Sequence, residues 1–534
     1  MTRKNSLSAI FLLLFVSFIS QAQTADKSDW TGGVPDACTS ITVGKKASFD
    51  GSVMTSHTDD SHRTRSWIDI VPDKTHNPGD VVNMYKRVPI DTLAMPAYGN
   101  LKIGTIPQIS QTNRYINTAY PSLNTKQLGI GESTFGGREE LQSDSGLIDC
   151  QRLCLLMLER ESTARGAIKM AGDLLKQYGW NDYGEALTIA DKNEVWHFEV
   201  VGPGKGKKGA IWVAQRVPDD HISVNANAST IKEVDLSNPD EFMASENIFT
   251  VAKENGWWNP DKEVFRFCYA YAPESRTSLA SRRREWRVFD LLAPSLKLDP
   301  NHSDYPFSVK PDTLVTLEKI MSVFKDYYEG TPFDMTSNLT VTDENGKTII
   351  SPLASPHMPY DANKLFKING GWGWLGERTI ARWYTMYATI IQLRGWLPDE
   401  IGGVEWLAMD NVATSIYVPI YGSVTDLPVQ YKTPGRVNGF TLNSAWWIFN
   451  RLGTLASQRW GDMRHDVDAV WNPMQLQLIQ NQKKVDEEAL KLYKQSPEKA
   501  IVFLTDYSNT EGTKVMGKAI QLGDFLWTKY DEKF

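Results

Sequence analysis

The chain has 534 residues, of which 41% are hydrophobic, 23% charged and 11% aromatic. That is enough apolar material for a large core and, by length, for about two to four domains. A formal charge of −7 argues against a nucleic-acid polyanion as the main partner. Four cysteines (Cys38, Cys150, Cys154, Cys268) are too few for a dense disulfide framework, so stability must come from the core.

The first segment reads as an export address. Arg3 and Lys4 precede an apolar run from Leu7 to Ile19, and Ser20-Gln21-Ala22 supplies the small residues a signal peptidase reads. Residues 1–22 are therefore assigned as a signal peptide, with a retained anchor as the lesser alternative for so short a run. Residues 23–37 are polar, carry Gly32-Gly33 and Pro35, and read as a flexible leader.

The β-branched run Thr39–Val43 predicts a strand, Gly44–Gly51 its connection and Ser52–His57 a returning strand. A hairpin of this kind brings Cys38 beside His57, Asp59 and Asp60. Leu147, Cys150, Cys154, Met157 and Leu158 recur at helical spacing, and a second helix is expected over Thr163–Tyr178. Strands are expected at Glu194–Val201, Gly209–Val217 and His221–Asn227. Alternation fails within Val195–Val201, which predicts burial on both faces. Strands, helices and strands in that order suggest sheets covered by helices rather than a repeating βαβ.

Beyond about residue 310 the character changes: nine of the 18 tryptophans lie between Trp372 and Trp471. A helix is expected over Met474–Gln495, with Pro473 near its start. The division adopted is a catalytic core over 38–310 and a Trp-rich, largely helical part over 311–534 packed on it. No Ser/Gly-rich linker marks the boundary.

Cys38 carries the most informative chemistry. A thiol has an ordinary pKa of about 8.5 and an α-amino group one of about 7.7–8.0. If residues 1–37 are removed, the new amine of Cys38 is held next to its own sulfur and can take the thiol proton, directly or through a water. Nucleophile and base then sit on one residue. Such a residue needs a carboxylate to hold the charged amine, which Asp60 would supply, and an oxyanion donor, for which Asn227 at a strand end is the candidate. Competing readings are a small buried hydrophobe and a lipidated cysteine, the latter opposed by the position of Cys38, 19 residues beyond Ile19. The string His57-Thr58-Asp59-Asp60-Ser61-His62 has metal-ligand types but no zinc spacing, so no metal is expected. Asp343-Glu344-Asn345-Gly346 reads as a turn before a calcium loop, and the tryptophans as core before a sugar-binding face.

Several blocks, in order, resemble one family. CTSITVGKKASFDGS at 38–52 is similar to the opening of mature PepD-like dipeptidases, cysteine peptidases of the N-terminal-nucleophile (Ntn) hydrolase superfamily. The resemblance continues through GIGESTFGG at 129–137, GLID at 146–149, WHFEVVGPG at 196–204, VAQRVPDD at 213–220, SRRREWR at 281–287 and ATSIYVPIY at 413–421.

The resemblance implies an α+β fold, an αββα sandwich, and hydrolysis of short peptides through a thioester acyl-enzyme without a cofactor. The wider superfamily, with its penicillin V acylases and bile-salt hydrolases, implies roles. Cys38 is similar to the nucleophile, Asp60 to the amine-orienting aspartate, Asn227 to the oxyanion-hole asparagine and Arg284, with Arg283 as alternative, to the active-site arginine. Two departures stand out. His57 occupies the place of an arginine, and the stretch Glu132-Ser133-Thr134 lacks a second oxyanion-hole asparagine, leaving Thr134 or a backbone amide for that work. A dipeptidase must also hold a substrate ammonium, for which Asp59 and Glu132 are the candidates, and a substrate carboxylate, for which the 282–284 arginines are. The expected protein is an exported, periplasmic or secreted cysteine dipeptidase, off the membrane once its signal is cut, with the oligomeric state open. The alternatives are an N-acyl amide hydrolase of the penicillin V acylase or bile-salt hydrolase type, and a non-catalytic peptide- or glycan-binding protein.

Overall fold

The computed structural model describes residues 37–93, 95–356 and 377–533. The export segment 1–22 and residues 23–36 of the leader lie outside the described residues. The expected hairpin is present: β1 (Ala37–Val43) pairs antiparallel with β2 (Val53–Asp60), Cys38 opposite Asp59 and Thr39 opposite Thr58. Gly44 ends β1 because the chain must pass under the 218–219 backbone; a Cβ there would lie 2.3 Å from Asp219 O.

β3 (Gly129–Gly136) is followed by α1 (Cys150–Arg160) and α2 (Ala164–Tyr178). Each helix begins on a capping side chain: Asp149 accepts from Arg152 N–H and Thr163 from Gly166 N–H. β4 (Gly184–Ala190), β5 (Val195–Val201), β6 (Ile211–Val217) and β7 (Ile222–Asn225) follow, then α3 (Leu279–Leu292). Every residue of β5 is buried, as its lack of alternation predicts. The last of these strands is shorter than expected, because Asn227 turns to a left-handed φ of 56°, a conformation asparagine tolerates.

Further along lie β8 (Thr385–Leu393), β9 (Gly403–Met409), β10 (Val418–Tyr421), and three helices: α4 (Ala445–Gln458), α5 (Trp460–Tyr493) and α6 (Pro497–Lys529). One seven-stranded sheet runs Ser308–Val309, β7, β1, β2, β8, β9, β10. An eight-stranded sheet runs Phe242–Ala244, β6, β5, β4, β3, Leu123–Asn124, Tyr115–Asn117, Asp69–Val71. Pairing is antiparallel in both. The chain is thus mixed α+β with antiparallel sheets and a helical C-terminal region.

The two sheets meet where β3 crosses β1 and β2. A Cβ on Gly131 would lie 2.3 Å from Ser56 O and 2.5 Å from Thr188 Oγ1, so the close approach depends on the absent side chain. The seam there is polar: Ser40 Oγ donates to Glu132 O at 2.9 Å, and the hydroxyls of Thr55 and Thr188 are 2.6 Å apart. α2 packs against β4 and β5; α3, α4 and α6 pack against β7, β9 and β10.

Three of the seven strands come from beyond residue 311, and one apolar core runs from Ile41 to Tyr530. A division at 310 therefore cuts across both the sheet and the core. The helix expected from Met474 begins at Trp460 instead and holds Pro473 inside it. An internal proline costs about 3 kcal/mol, which burial of Trp460, Met463, Val467 and Trp471 outweighs. Trp406, Trp446, Trp460 and Trp471 pack in the core, as expected of most of the tryptophans. Asp343 caps the turn of a small hairpin, its Oδ1 accepting from Asn345 and Lys347 N–H. Among the described residues, no helix is long and apolar enough to cross a membrane.

Candidate active site

Strand β1 delivers Cys38 to the interior with no exposed surface. Its peptide groups are clasped from both sides. Its N–H donates to Asn227 Oδ1 at 3.0 Å, and its carbonyl accepts from Arg284 Nη1 at 2.8 Å and Ser133 Oγ at 3.3 Å. Asn227 is fixed in turn: its N–H donates to Ser133 Oγ (2.9 Å), its Nδ2 to Thr134 O (2.6 Å), and its carbonyl accepts from Ser281 Oγ (3.0 Å). One Nδ2 hydrogen remains for another acceptor.

Arg284, rather than Arg283, is the arginine at Cys38. It uses all five N–H groups on protein: Ala280 O, Cys38 O, Thr39 Oγ1, Ala226 O and Asn227 Oδ1, at 2.8 to 2.9 Å. The expectation that the 282–284 cluster binds a substrate carboxylate is not met by this geometry. Arg283 pairs with Glu377 at 3.1 Å and Arg282 with Glu285, both arginines being buried in α3.

Alternation along β2 puts Asp59 on the same face as Cys38 and Asp60 on the other, opposite Ala37. Asp60 meets the 37–38 peptide indirectly. It forms a buried ion pair with Arg378, whose Nη2 donates to Ala37 O at 3.1 Å, while Thr385 Oγ1 donates to Asp60 Oδ1 at 2.6 Å. Asp59 Oδ2 accepts from Thr64 Oγ1 at 2.7 Å.

Burial pushes the Cys38 thiol well above its ordinary value near 9.0, and the charges of Glu132, Asp59 and Asp60 push the same way. With residue 37 attached, the thiol is therefore protonated at neutral pH. His57 is buried between Tyr120 and Tyr387, and its Nδ1 lies 2.8 Å from Glu132 O. Burial lowers its pKa from the ordinary 6.5 despite the pull of Glu132. The residue standing in place of an arginine is thus a neutral imidazole at neutral pH.

Glu132 and Thr134 lie on β3, with Thr134 Oγ1 3.0 Å from Glu132 Oε1 and 2.9 Å from Glu185 Oε1. That hydroxyl is engaged by both carboxyls. Among the described residues, donor atoms of Cys38, His57 and Glu132, and of Glu132, Cys150 and Glu185, converge closely enough to meet at one ion. The string running from His57 to His62 does not act as a unit. His62 stacks on Tyr384 instead. All four cysteines are free and buried.

Sequence reasoning places Cys38, His57, Asp59, Asp60, Glu132, Thr134, Asn227 and Arg284 around one centre, and the fold brings them together. It misses Ser133, Glu185, Arg378 and Thr385. Arg378 lies 318 positions from Asp60 and no local pattern marks it. Glu185 is an acidic residue in a strand buried along its whole length, and that contradiction is the one signal available.

Antiparallel sheets with a cysteine, an asparagine and an arginine meeting at the head of the first strand define the class, a cysteine-type amide hydrolase. The chain belongs to peptidase family C69, whose model matches residues 37–473, a cysteine peptidase family of the Ntn-like superfamily. It is similar to a probable dipeptidase of Latilactobacillus sakei, 27% identical over 81% of this chain and 84% of the relative. Dipeptidase A of Lactobacillus helveticus is 26% identical over 92% of this chain and 98% of the relative. A dipeptidase of Bifidobacterium longum is 25% identical over 78% and 76%. The protein is accordingly a cysteine-type peptidase acting on peptides.

Proposed function

We propose that the protein is an exported dipeptidase that cuts short peptides through a thioester on Cys38, after removal of residues 1–37. The single observation that carries this reading is the clasp on the Ala37–Cys38 peptide: Arg378 on the Ala37 carbonyl, Asn227 on the Cys38 N–H, Arg284 and Ser133 on the Cys38 carbonyl. Side chains from four separate segments, rather than a neighbouring strand alone, hold these backbone groups. The names of the relatives support dipeptides as the substrate class. The paired sheets with helices against them support an αββα Ntn-hydrolase architecture, and the apolar run Leu7–Ile19 supports export to the periplasm or beyond.

In this mechanism the freed amine of Cys38 takes the thiol proton, and Sγ attacks the substrate carbonyl carbon. The remaining Nδ2 hydrogen of Asn227 and a backbone N–H stabilise the oxyanion. Collapse breaks the C–N bond, the leaving amine takes the proton, and the acyl group stays on sulfur. Water then attacks the thioester, releasing the first amino acid and the thiol. Asp60, through Arg378, and Arg284 hold the geometry.

Intact mass spectrometry and a dipeptide assay test the reading together. The exported protein should begin at Cys38, and Cys38→Ser should lose dipeptide turnover. A homogeneous protein that starts before Cys38 and still cuts dipeptides refutes it. Faster cutting of penicillin V or glycine-conjugated bile acids than of dipeptides would make it an acylase with the same nucleophile.

A further inference from the structure

A half-buried threonine hydroxyl lies between two buried carboxyls. Thr134 Oγ1 lies within hydrogen-bond distance of both Glu132 Oε1 and Glu185 Oε1, yet it has one proton to give. The hydroxyl is shared between the two carboxyls, which leaves each of them short of a full donor. Burial, with the charges of Glu132 and Asp182, raises the Glu185 carboxyl well above its ordinary range, so a proton sits on Glu185 between the two acids.

Both glutamates are essentially without exposed surface, and their second oxygens, Glu132 Oε2 and Glu185 Oε2, have no hydrogen-bond partner among the described residues. Two such acceptors side by side favour a donor that can reach both. On one side Glu132 meets the Cys38 thiol and His57. On the other, Thr134 and Glu185 line a cleft of about 740 Å³, together with Asp149, Asp182, Lys86 and Arg87. That volume lies within the range of small-ligand sites, about 300–1,000 Å³.

We propose that Glu132 and Glu185, bridged by Thr134, form the subsite for the α-ammonium of the substrate, holding a proton when empty and the ammonium when a free peptide binds. The proposal rests on the reading of Cys38 as a dipeptidase nucleophile and adds the recognition that such an enzyme requires. An ammonium brings three N–H donors and one positive charge, which match two unpaired oxygens and a pair short of one full charge. On binding, the carboxyl O–H bond breaks, its proton leaves to solvent, and no other covalent bond changes. A divalent ion on Glu132, Cys150 and Glu185 is the competing occupant, and the chelator arm of the test decides between them.

The charged and titratable groups facing the pair are Cys38 from β1, His57 from β2, Cys150 from α1, Asp149 at its cap, Asp182 before β4 and Arg87 from strand Val81–Ile90. Burial, Glu132 and Asp182 raise the Glu185 carboxyl well above its ordinary range, and Arg87 offsets them only in part. Free-peptide turnover should therefore fall as pH drops through that raised value, whereas a substrate with a blocked amine should lack this acid limb.

The test compares alanyl-alanine with its N-acetyl form between pH 5 and 8.5, on wild type, Glu185→Gln and Thr134→Val. The blocked peptide is followed as a competitive inhibitor where it is not cut. Wild type should favour the free peptide by roughly tenfold to several-hundredfold, since losing a charged hydrogen bond and stranding its partner costs on that order. Glu185→Gln should cut kcat/KM for the free peptide about ten- to a hundredfold, mainly through KM. It should also bring the two substrates within a few-fold of each other and abolish the acid limb. Equal losses on both substrates, with preference and pH profile intact, would overturn the proposal, as would loss of activity to a chelator with recovery on zinc. Should Glu185→Gln not fold, Thr134→Val reads the same ratio. If wild type cuts no dipeptide, the Cys38 reading fails by itself. Calorimetric binding of the two peptides to that same protein then decides the subsite.

Discussion

Replacing Arg284 by lysine separates charge from geometry at the centre of the site. The guanidinium satisfies five acceptors, while a lysine has three donors on one atom and cannot span Ala280 in α3 and Cys38 in β1 together. At least two hydrogen bonds to a cation are lost, each worth about 1.5–3 kcal/mol. Two acceptors keep another donor: Cys38 O retains Ser133 Oγ, and Asn227 Oδ1 retains the Cys38 N–H. The net loss should therefore lie near ~2–5 kcal/mol, shared between folding and catalysis. Because three of the five bonds fix strand β1 (Cys38 O, Thr39 Oγ1) and Asn227 Oδ1, kcat for a dipeptide should fall roughly a hundredfold, about 2.7 kcal/mol, with KM little changed. Steady-state kinetics and urea unfolding on the same preparation measure both parts. A lysine variant keeping more than half of kcat would show that the charge matters and the five-point clasp does not.

Asp60→Asn removes the partner of buried Arg378. It should lower turnover by ~2–4 kcal/mol of barrier and slow leader removal, both readable from kinetics and intact mass; full activity would exclude a role for this pair. Gly131→Ala drives a methyl into Ser56 O and Thr188 Oγ1 between the sheets. Chemical denaturation should register a loss of ~1–3 kcal/mol or more, and no loss would mean the sheets meet more loosely. Burial raises the Glu405 carboxyl to about 8 from its ordinary 4.5. The folded protein thus holds a proton that the unfolded chain has released, and this residue costs stability increasingly as pH climbs from 4.5 to 8. Glu405→Gln should therefore shrink the fall in unfolding free energy between pH 5 and pH 9 by a few kcal/mol, because each tenfold difference in proton affinity between the two states is worth about 1.4 kcal/mol. An unchanged fall would place Glu405 ionised.

Local patterns are enough for the elements that carry Cys38. The run Thr39–Val43, the glycines at 44 and 51 and the return to His57 define a hairpin by short-range sterics and hydrogen bonding. Asp149 and Thr163 announce the two helices by capping chemistry that lies within three residues. Resemblance across ordered blocks then singles out Asn227 and Arg284, which the fold indeed brings to Cys38. What the sequence could not decide are properties created by neighbours far along the chain. The proline within α5 is tolerated because tertiary burial outweighs a local cost. β8 to β10 complete the first hairpin's sheet because backbone groups of β2 need partners, a demand no sequence window expresses. His57 is neutral rather than cationic because desolvation depends on what surrounds it. Glu185 and Arg378 belong to the site because two sheets and a distant loop close around Cys38, bringing charges into a low-dielectric interior where a few ångströms set their roles.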